Sequence, residues 1–246
     1  MLKSQEKNDT IKTEEPWYAL IDIDDTLIDF SRAERMAVAD TAAHFGVEED
    51  RLAEVFHRVN DHIWQELECG KITRPQLGEL RAMRVFEGMQ WNNPPKPLVF
   101  DRYYRGCLTK VHPLFDGALA FLETLSQVAC VCLVSNATVR VQIPRLQNSG
   151  IFDRVRIVFL SEIIGYEKPD RRYFDYVEAF LPNLNPSRTV LIGNSLTADI
   201  AGALRAGYHS ILFDAHHLVS PQENTAEAYA DCYAQVLEIV RRMQNS

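Results

Sequence analysis

Ile21-Asp22-Ile23-Asp24-Asp25-Thr26-Leu27 closes the apolar run Tyr18-Ala19-Leu20-Ile21 and sets two carboxylates two residues apart. If the run is a buried strand, the carboxylates stand where strand gives way to loop. Side chains alternate along a strand, so Asp22 and Asp24 face one side and share one pocket. Two such charges in low dielectric need a cation or a shared proton, and a hard divalent metal suits them better. The alternative is a solvated acidic turn, the ordinary use of Asp-rich loops. The rest of the chain has to decide.

Short apolar runs recur at Tyr18–Ile21, Val128–Val134, Ile157–Leu160, Thr189–Ile192 and Ile211–Phe213, and helical periodicity separates the later ones. That is the rhythm of βαβ units around a parallel sheet. Polar or small residues follow each run: Asp22, Ser135-Asn136, Ser161-Glu162, Gly193-Asn194-Ser195 and Asp214. Open parallel sheets bind ligands outside the carboxyl ends of their strands, so these residues are candidates for one shared site.

About a hundred residues separate the first two runs, far beyond a normal crossover, and most of them read as helix. Ser31 and Glu34 have capping-box spacing, and so do Thr73 and Gln76. Leu52, Val55, Phe56, Val59, Ile63 and Leu67 form a helical stripe that stops at Gly70. Trp91 to Pro97, with three prolines, reads as an irregular connection. The expected division is a tail over 1–16, a core over 17–30 and 108–246, and an inserted helical domain over 31–107. In the core, helices are expected near Gly117–Leu125, after Thr138, after Asp170, from Ser195 to Ala206 and over Asp231–Arg242. Pro144 should kink the second of these or delay its start.

The chain has 246 residues and a formal charge of −8 with no Lys/Arg cluster, which argues against a nucleic-acid polymer as partner. A small anionic substrate would need positive charge supplied locally by a lysine, helix N-termini or a metal. The first sixteen residues lack the apolar segment of a signal peptide, and no stretch approaches the ~20 apolar residues of a membrane span. The expected location is the cytoplasm, with no membrane partner. Cys69, Cys107, Cys130, Cys132 and Cys232 form no CxxC pair, which argues against structural zinc.

The strand ends together offer Asp22, Asp24, Ser135, Asn136, Lys168 before Pro169, and Gly193-Asn194-Ser195 with Asp199 beyond. Each has a use in phosphate chemistry. A carboxylate can attack phosphorus, a second can protonate the leaving oxygen, Mg²⁺ takes carboxylates together with phosphate oxygens, and a lysine with a hydroxyl offsets charge. Each also has a plain structural use. Ser135-Asn136 could cap the next helix. Lys168 could be solvated and Asp199 could lie on the surface. His216-His217 is tempting as a metal pair, but adjacent histidines point apart on a strand, so a loop role is expected.

The order of these motifs resembles the haloacid dehalogenase superfamily, whose phosphatases carry Asp-x-Asp-x-Thr, Ser/Thr, Lys and Gly-Asp-x-x-x-x-Asp around a sheet ordered 5-4-1-2-3. The matching residues are Asp22-Ile23-Asp24-Asp25-Thr26, Ser135-Asn136, Lys168-Pro169-Asp170 and Gly193-Asn194-Ser195 through Asp199. The resemblance implies a Rossmann-like α/β fold with an all-helical cap, and a Mg²⁺-dependent phosphomonoesterase. By the same resemblance Asp22 is the nucleophile, Asp24 the acid/base whose backbone carbonyl also serves the metal, and Thr26 an orienting hydroxyl. Ser135, the Asn136 backbone and Lys168 bind the phosphoryl group, and the metal set is Asp22, Asp24, Asn194 and Asp199.

Aspartate at Asp24 separates phosphatases from the dehalogenases proper. Softer motifs, Ile63 through Thr73, Ser161 through Pro169 and Phe213 through His217, are similar to bacterial 5′-nucleotidases of pyrimidine or non-canonical nucleoside monophosphates. In such enzymes the cap closes over the site and chooses the leaving group. A sugar phosphate or phosphoglycolate is the competing substrate class. Asn194 stands where the family has a metal-holding aspartate. A unit charge at 4 Å contributes ~4 kcal/mol at an effective dielectric near 20, before ligand desolvation, so the metal should bind more weakly by about one to three powers of ten. A protein that binds phosphorylated ligands without turnover is the reading from outside the enzymes.

Overall fold

The computed structural model describes residues 15–220 and 222–245, so most of the expected tail, residues 1–14, lies outside the described residues. Six strands form one parallel sheet: β1 (Tyr18–Ile21), β2 (Cys130–Ser135), β3 (Ile157–Leu160), β4 (Thr189–Gly193), β5 (His209–Phe213) and β6 (Ala228–Ala230). Their spatial order is β3-β2-β1-β4-β5-β6. The expected 5-4-1-2-3 core is there, extended at one edge by β6, whose three residues give too little pattern to read in sequence. Ile21 pairs with both Leu133 and Ile192, so β1, β2 and β4 end nearly level.

The helices in chain order are α1 (Phe30–Phe45), α2 (Glu49–Glu68), α3 (Arg74–Met89), α4 (Pro97–Leu108), α5 (Ala118–Leu125), α6 (Val139–Ser149), α7 (Ser161–Ile164), α8 (Arg171–Phe180), α9 (Ala201–Ala206) and α10 (Tyr233–Gln244). The described residues divide into two compact units, one comprising those up to Asp29, Leu114–Val139 and those from Leu146 on, the other Phe30–Pro113 and Arg140–Arg145.

The sheet unit buries both faces, which is why its strands are apolar without interruption. On one face, Tyr18, Leu20, Cys132, Val134 and Leu191 pack with Tyr173, Phe174 and Val177 of α8 and with Ala203 and Ala206 of α9. Gly202 permits that approach, since a Cβ there would stand 2.6 Å from the Phe174 ring. Elsewhere in this unit Tyr233 of α10 stacks on Phe121 of α5 at 4.4 Å and on Phe213 of β5 at 5.0 Å. Fully burying an aliphatic side chain such as Leu20 or Leu133 contributes about 1.5–3 kcal/mol.

The helical unit packs Ala33, Ala37, Phe56, Val85, Phe86, Phe100 and Tyr104 into a separate core. Val141 joins this core, and fully buried Arg145 donates to the Gln142 side chain and the Val111 carbonyl. Those contacts attach the 140–145 segment to this unit. They also help explain why α6 continues through Pro144 instead of starting later.

Glu34 does not close the expected capping box. It is buried, accepts from Asn60, and lies 2.9 Å from His57 Nδ1. Asn60 then accepts from Arg81, whose guanidinium also pairs with buried Asp101 and lies 4.8 Å over the Tyr104 ring. Thr73 keeps its box, donating its backbone N–H to Gln76 at 2.9 Å. The expected connection over Trp91–Pro97 ends where α4 begins.

Removing one member of a buried ion pair strands the other charge. Arg81→Met, which removes one of the two arginines paired with Asp101 among the described residues, is expected to lower unfolding stability in urea by about 3 kcal/mol. The hydrogen bond to Glu34 raises the pKa of His57 against the opposing effect of burial, with Asp61 adding to the rise. A raised imidazole stabilises the fold in full below its unfolded value, and that contribution is lost as pH rises through the folded value. His57→Gln should therefore flatten the pH dependence of stability in the range above pH ~6.5, measured by thermal melts at a series of pH values.

Candidate active site

Asp22 immediately follows β1, and its N–H donates to Ile192 O at 2.9 Å, which extends the ladder by one residue and fixes the carboxylate at the sheet edge. Beyond it the chain turns tightly. Leu27 and Ile28 both donate to Ile23 O at 2.9 Å, Asp25 donates to Ile28 O at 2.7 Å, and Asp25 takes a left-handed φ of 55°. Thr26 is fully buried inside this turn, with its hydroxyl 3.4 Å from Asp22 Oδ2 and its carbonyl accepting from Tyr233 at 2.8 Å.

Lys168, from the α7–α8 loop, is 2% exposed, and its ammonium donates to Asp22 Oδ1 and Asp199 Oδ1 at 2.6 Å each and to Val134 O at 3.2 Å. Asp199 lies in a wide helical turn, Leu196–Ile200, in which both Asp199 and Ile200 donate to Ser195 O. Such i→i+5 turns recur at functional sites. Its second oxygen accepts the Ser195 N–H at 3.1 Å. A Cβ at residue 193 would collide with the Asp199 carboxylate, which is why the strand before it ends in glycine.

The amide of Asn136 clamps the lysine backbone: Oδ1 accepts from Lys168 N at 2.8 Å and Nδ2 donates to Lys168 O at 2.9 Å. Nothing in the sequence marked this use of the side chain. Tyr173 is another addition. Its hydroxyl donates to Phe159 O at 3.0 Å and accepts from Ser135 N at 3.1 Å, and it joins the ends of β2 and β3. The Ser135 hydroxyl accepts from Ala137 N at 3.0 Å.

The structure thus brings Asp22, Thr26, Lys168 and Asp199 into direct contact, with Asn136 bonded to the lysine and buried Ser135 directly after Val134, which shares that ammonium. The charge of Asp24 reaches Asp22, and half-buried Asn194 follows β4 at the neighbouring strand end. Two other strand-end candidates have local work instead. Glu162 accepts from Val139 N at 2.7 Å, and Asp214 accepts from the backbone of Leu218 and Val219.

Burial pushes the Asp22 carboxyl up to about 8 against the pull of Lys168, with Asp199 and Asp24 adding to the rise. Burial opposes the Lys168 ammonium, but Asp199 and Asp22 outweigh it and its pKa rises. Asp22 and Asp199 therefore share one ammonium, and the charge of Asp24 acts on the same Asp22 carboxyl. An all-oxygen, carboxylate-rich donor set of this kind fits a hard divalent cation. Each Asp199 oxygen accepts one hydrogen bond, from Lys168 and from the Ser195 N–H, and keeps a further lone pair.

The model of the haloacid dehalogenase-like hydrolases matches residues 18–207. The HAD-hydrolase YfnB of Bacillus subtilis is 32% identical over 190 residues, 76% of this chain and 80% of that protein. The pyrimidine 5′-nucleotidase PynA of Streptococcus pneumoniae is 29% identical over 203 residues, 82% of this chain and 85% of its own length. The pyrimidine 5′-nucleotidase YjjG of Escherichia coli is 26% identical over 68% of this chain and 72% of its own. A crystal structure of YfnB bound to magnesium superposes with a TM-score of 0.84 at 28% identity, covering 92% of this chain and 99% of that one. By its matched length and these relatives, the chain is an enzyme that belongs to the haloacid dehalogenase-like hydrolase family.

Proposed function

We propose that this chain is a Mg²⁺-dependent phosphomonoesterase that passes the phosphoryl group through Asp22, with nucleoside 5′-monophosphates as substrates. The observation that carries this reading is the buried Lys168 ammonium bonded at once to Asp22 and Asp199. A phosphate oxygen drawn to that charge lies beside the Asp22 carboxylate, in reach for attack on phosphorus.

In the first step an Asp22 oxygen forms a bond to phosphorus as the ester P–O bond breaks, and Asp24 gives its proton to the departing alkoxide. In the second, Asp24 takes a proton from water, the water oxygen bonds to phosphorus, and the Asp22–phosphorus bond breaks to release inorganic phosphate. Lys168 and Ser135 offset negative charge on the transferring group in both steps. Asn136 positions Lys168, and Thr26 orients Asp22. Asp22, the Asp24 carbonyl and Asn194 would hold Mg²⁺, with Asp199 as counter-charge to Lys168, and the ion would supply further positive charge and keep Asp22 ionised despite its burial. The nucleotide class rests on the printed activity of PynA and YjjG.

A panel of monophosphates assayed for phosphate release tests the whole reading. Nucleoside 5′-monophosphates should be hydrolysed best. A preference for sugar phosphates or phosphoglycolate would move the substrate class, and no release with any metal would defeat the phosphatase assignment. Asp22→Asn should lower kcat by at least about 10³-fold, whereas Asp199→Asn, which acts through the lysine, should cost about 10- to 100-fold. Equal losses in the two variants would remove the distinction between nucleophile and positioning residue. Asn194→Asp should lower the Mg²⁺ concentration for half-maximal activity by about one to three powers of ten, and an unchanged metal dependence would refute Asn194 as a ligand.

A further inference from the structure

The loops after β1 and β5 carry a second group of metal-ligating side chains that the proposed reaction does not use. One ligand atom each from Asp25, Asp29 and His216 lies within 4.8 Å of the others. His216 Nε2 stands 3.9 Å from Asp25 Oδ1 and 4.0 Å from Asp29 Oδ1. We propose that Asp25, Asp29 and His216 form a separate site for a first-row transition ion such as Zn²⁺.

Bond lengths of 2.0–2.1 Å in a tetrahedral site place neighbouring ligands about 3.4 Å apart. The two His216 separations exceed that value by about half an ångström, and the Asp25–Asp29 separation, within 4.8 Å, by about 1.4 Å at most, so small rotations of the two carboxylates close the set. The backbone on both sides is already held. Asp25 donates to Ile28 O at 2.7 Å, and Ile28 is bridged in turn to Leu114. The other loop is fixed by buried Asp214, whose carboxylate accepts from Leu218 and Val219 at 2.9 Å each while its N–H donates to Ala230 O. The His216 ring leans on Phe115 with centroids 5.3 Å apart.

The donor chemistry separates this site from the one at Asp22. Mg²⁺ takes oxygen ligands, whereas an imidazole with two carboxylates favours Zn²⁺, Ni²⁺, Co²⁺ or Cu²⁺. Three protein ligands, with the histidine side chain about one-third exposed, leave a coordination position open to water. Among the described residues His217 belongs to no such group. It takes a left-handed φ of 54°, and its ring lies 3.4 Å from the Tyr229 hydroxyl.

The test is a calorimetric Zn²⁺ titration of the full chain in excess Mg²⁺, with exposed Cys69 and Cys232 alkylated. Wild type should show one saturable site that His216→Ala and Asp29→Asn each weaken by at least about tenfold and His217→Ala leaves unchanged. Electron paramagnetic resonance of the Cu²⁺-loaded wild type should show nitrogen coupling from one imidazole, which does not depend on any variant folding. Absence of a saturable Zn²⁺ site, equal affinity in wild type and His216→Ala, or a Cu²⁺ spectrum without nitrogen coupling would overturn the assignment.

Discussion

The site depends on one buried ammonium shared by two buried carboxylates. Taking three charges out of water costs several kcal/mol per ion, and the mutual attraction of such groups seldom returns more than that cost. Stability therefore does not account for Lys168 between Asp22 and Asp199, since apolar side chains of the same volume would serve a core as well. What the arrangement secures is position. Val134 O, the Asn136 amide and the Ser195 N–H hold its members from three directions, so the lysine and the first aspartate have little freedom left to lose when a ligand arrives.

Charge balance links this geometry to Asn194. In the proposed reaction a divalent ion would offset negative charge contributed by Asp22, Asp24 and Asp199, which an aspartate at 194 would raise further. An amide at that position keeps an oxygen donor while lowering the repulsion that the site bears before the ion binds. On the proposed reading, weaker metal binding and reduced repulsion would both follow from an amide in place of a carboxylate.

The sheet was legible because its strands are apolar on both faces, and the strand ends were legible because polar residues interrupt those runs abruptly. Asp22, Lys168 and Asp199 could be picked out as candidates in that way, although only the coordinates show that one ammonium joins them. The Asn136 clamp could not be read, because an amide that pairs with a backbone thirty-two residues away has no local signature. Tyr173 was hidden for a related reason: it belongs to the apolar stripe of α8, and only its hydroxyl reveals a second use. Glu34 misled in the opposite sense. Its spacing from Ser31 suits a cap, but a buried Asn60 and a neighbouring His57 compete for the carboxylate, and long-range partners prevail over the local motif. β6 failed on length alone.

The two compact units divide the physics as well as the chain. Every residue assigned to the proposed reaction belongs to the sheet unit, while the helical unit closes its own core with aromatic packing and the chain of contacts from Glu34 through Arg81 to Asp101. A buried polar chain of that kind is satisfied only when all its members are in register, so it specifies one arrangement of α1 to α4 where an all-apolar interior would tolerate several. Exposed His57 on Glu34 and partly exposed Arg105 on Asp101 extend that chain at its two ends.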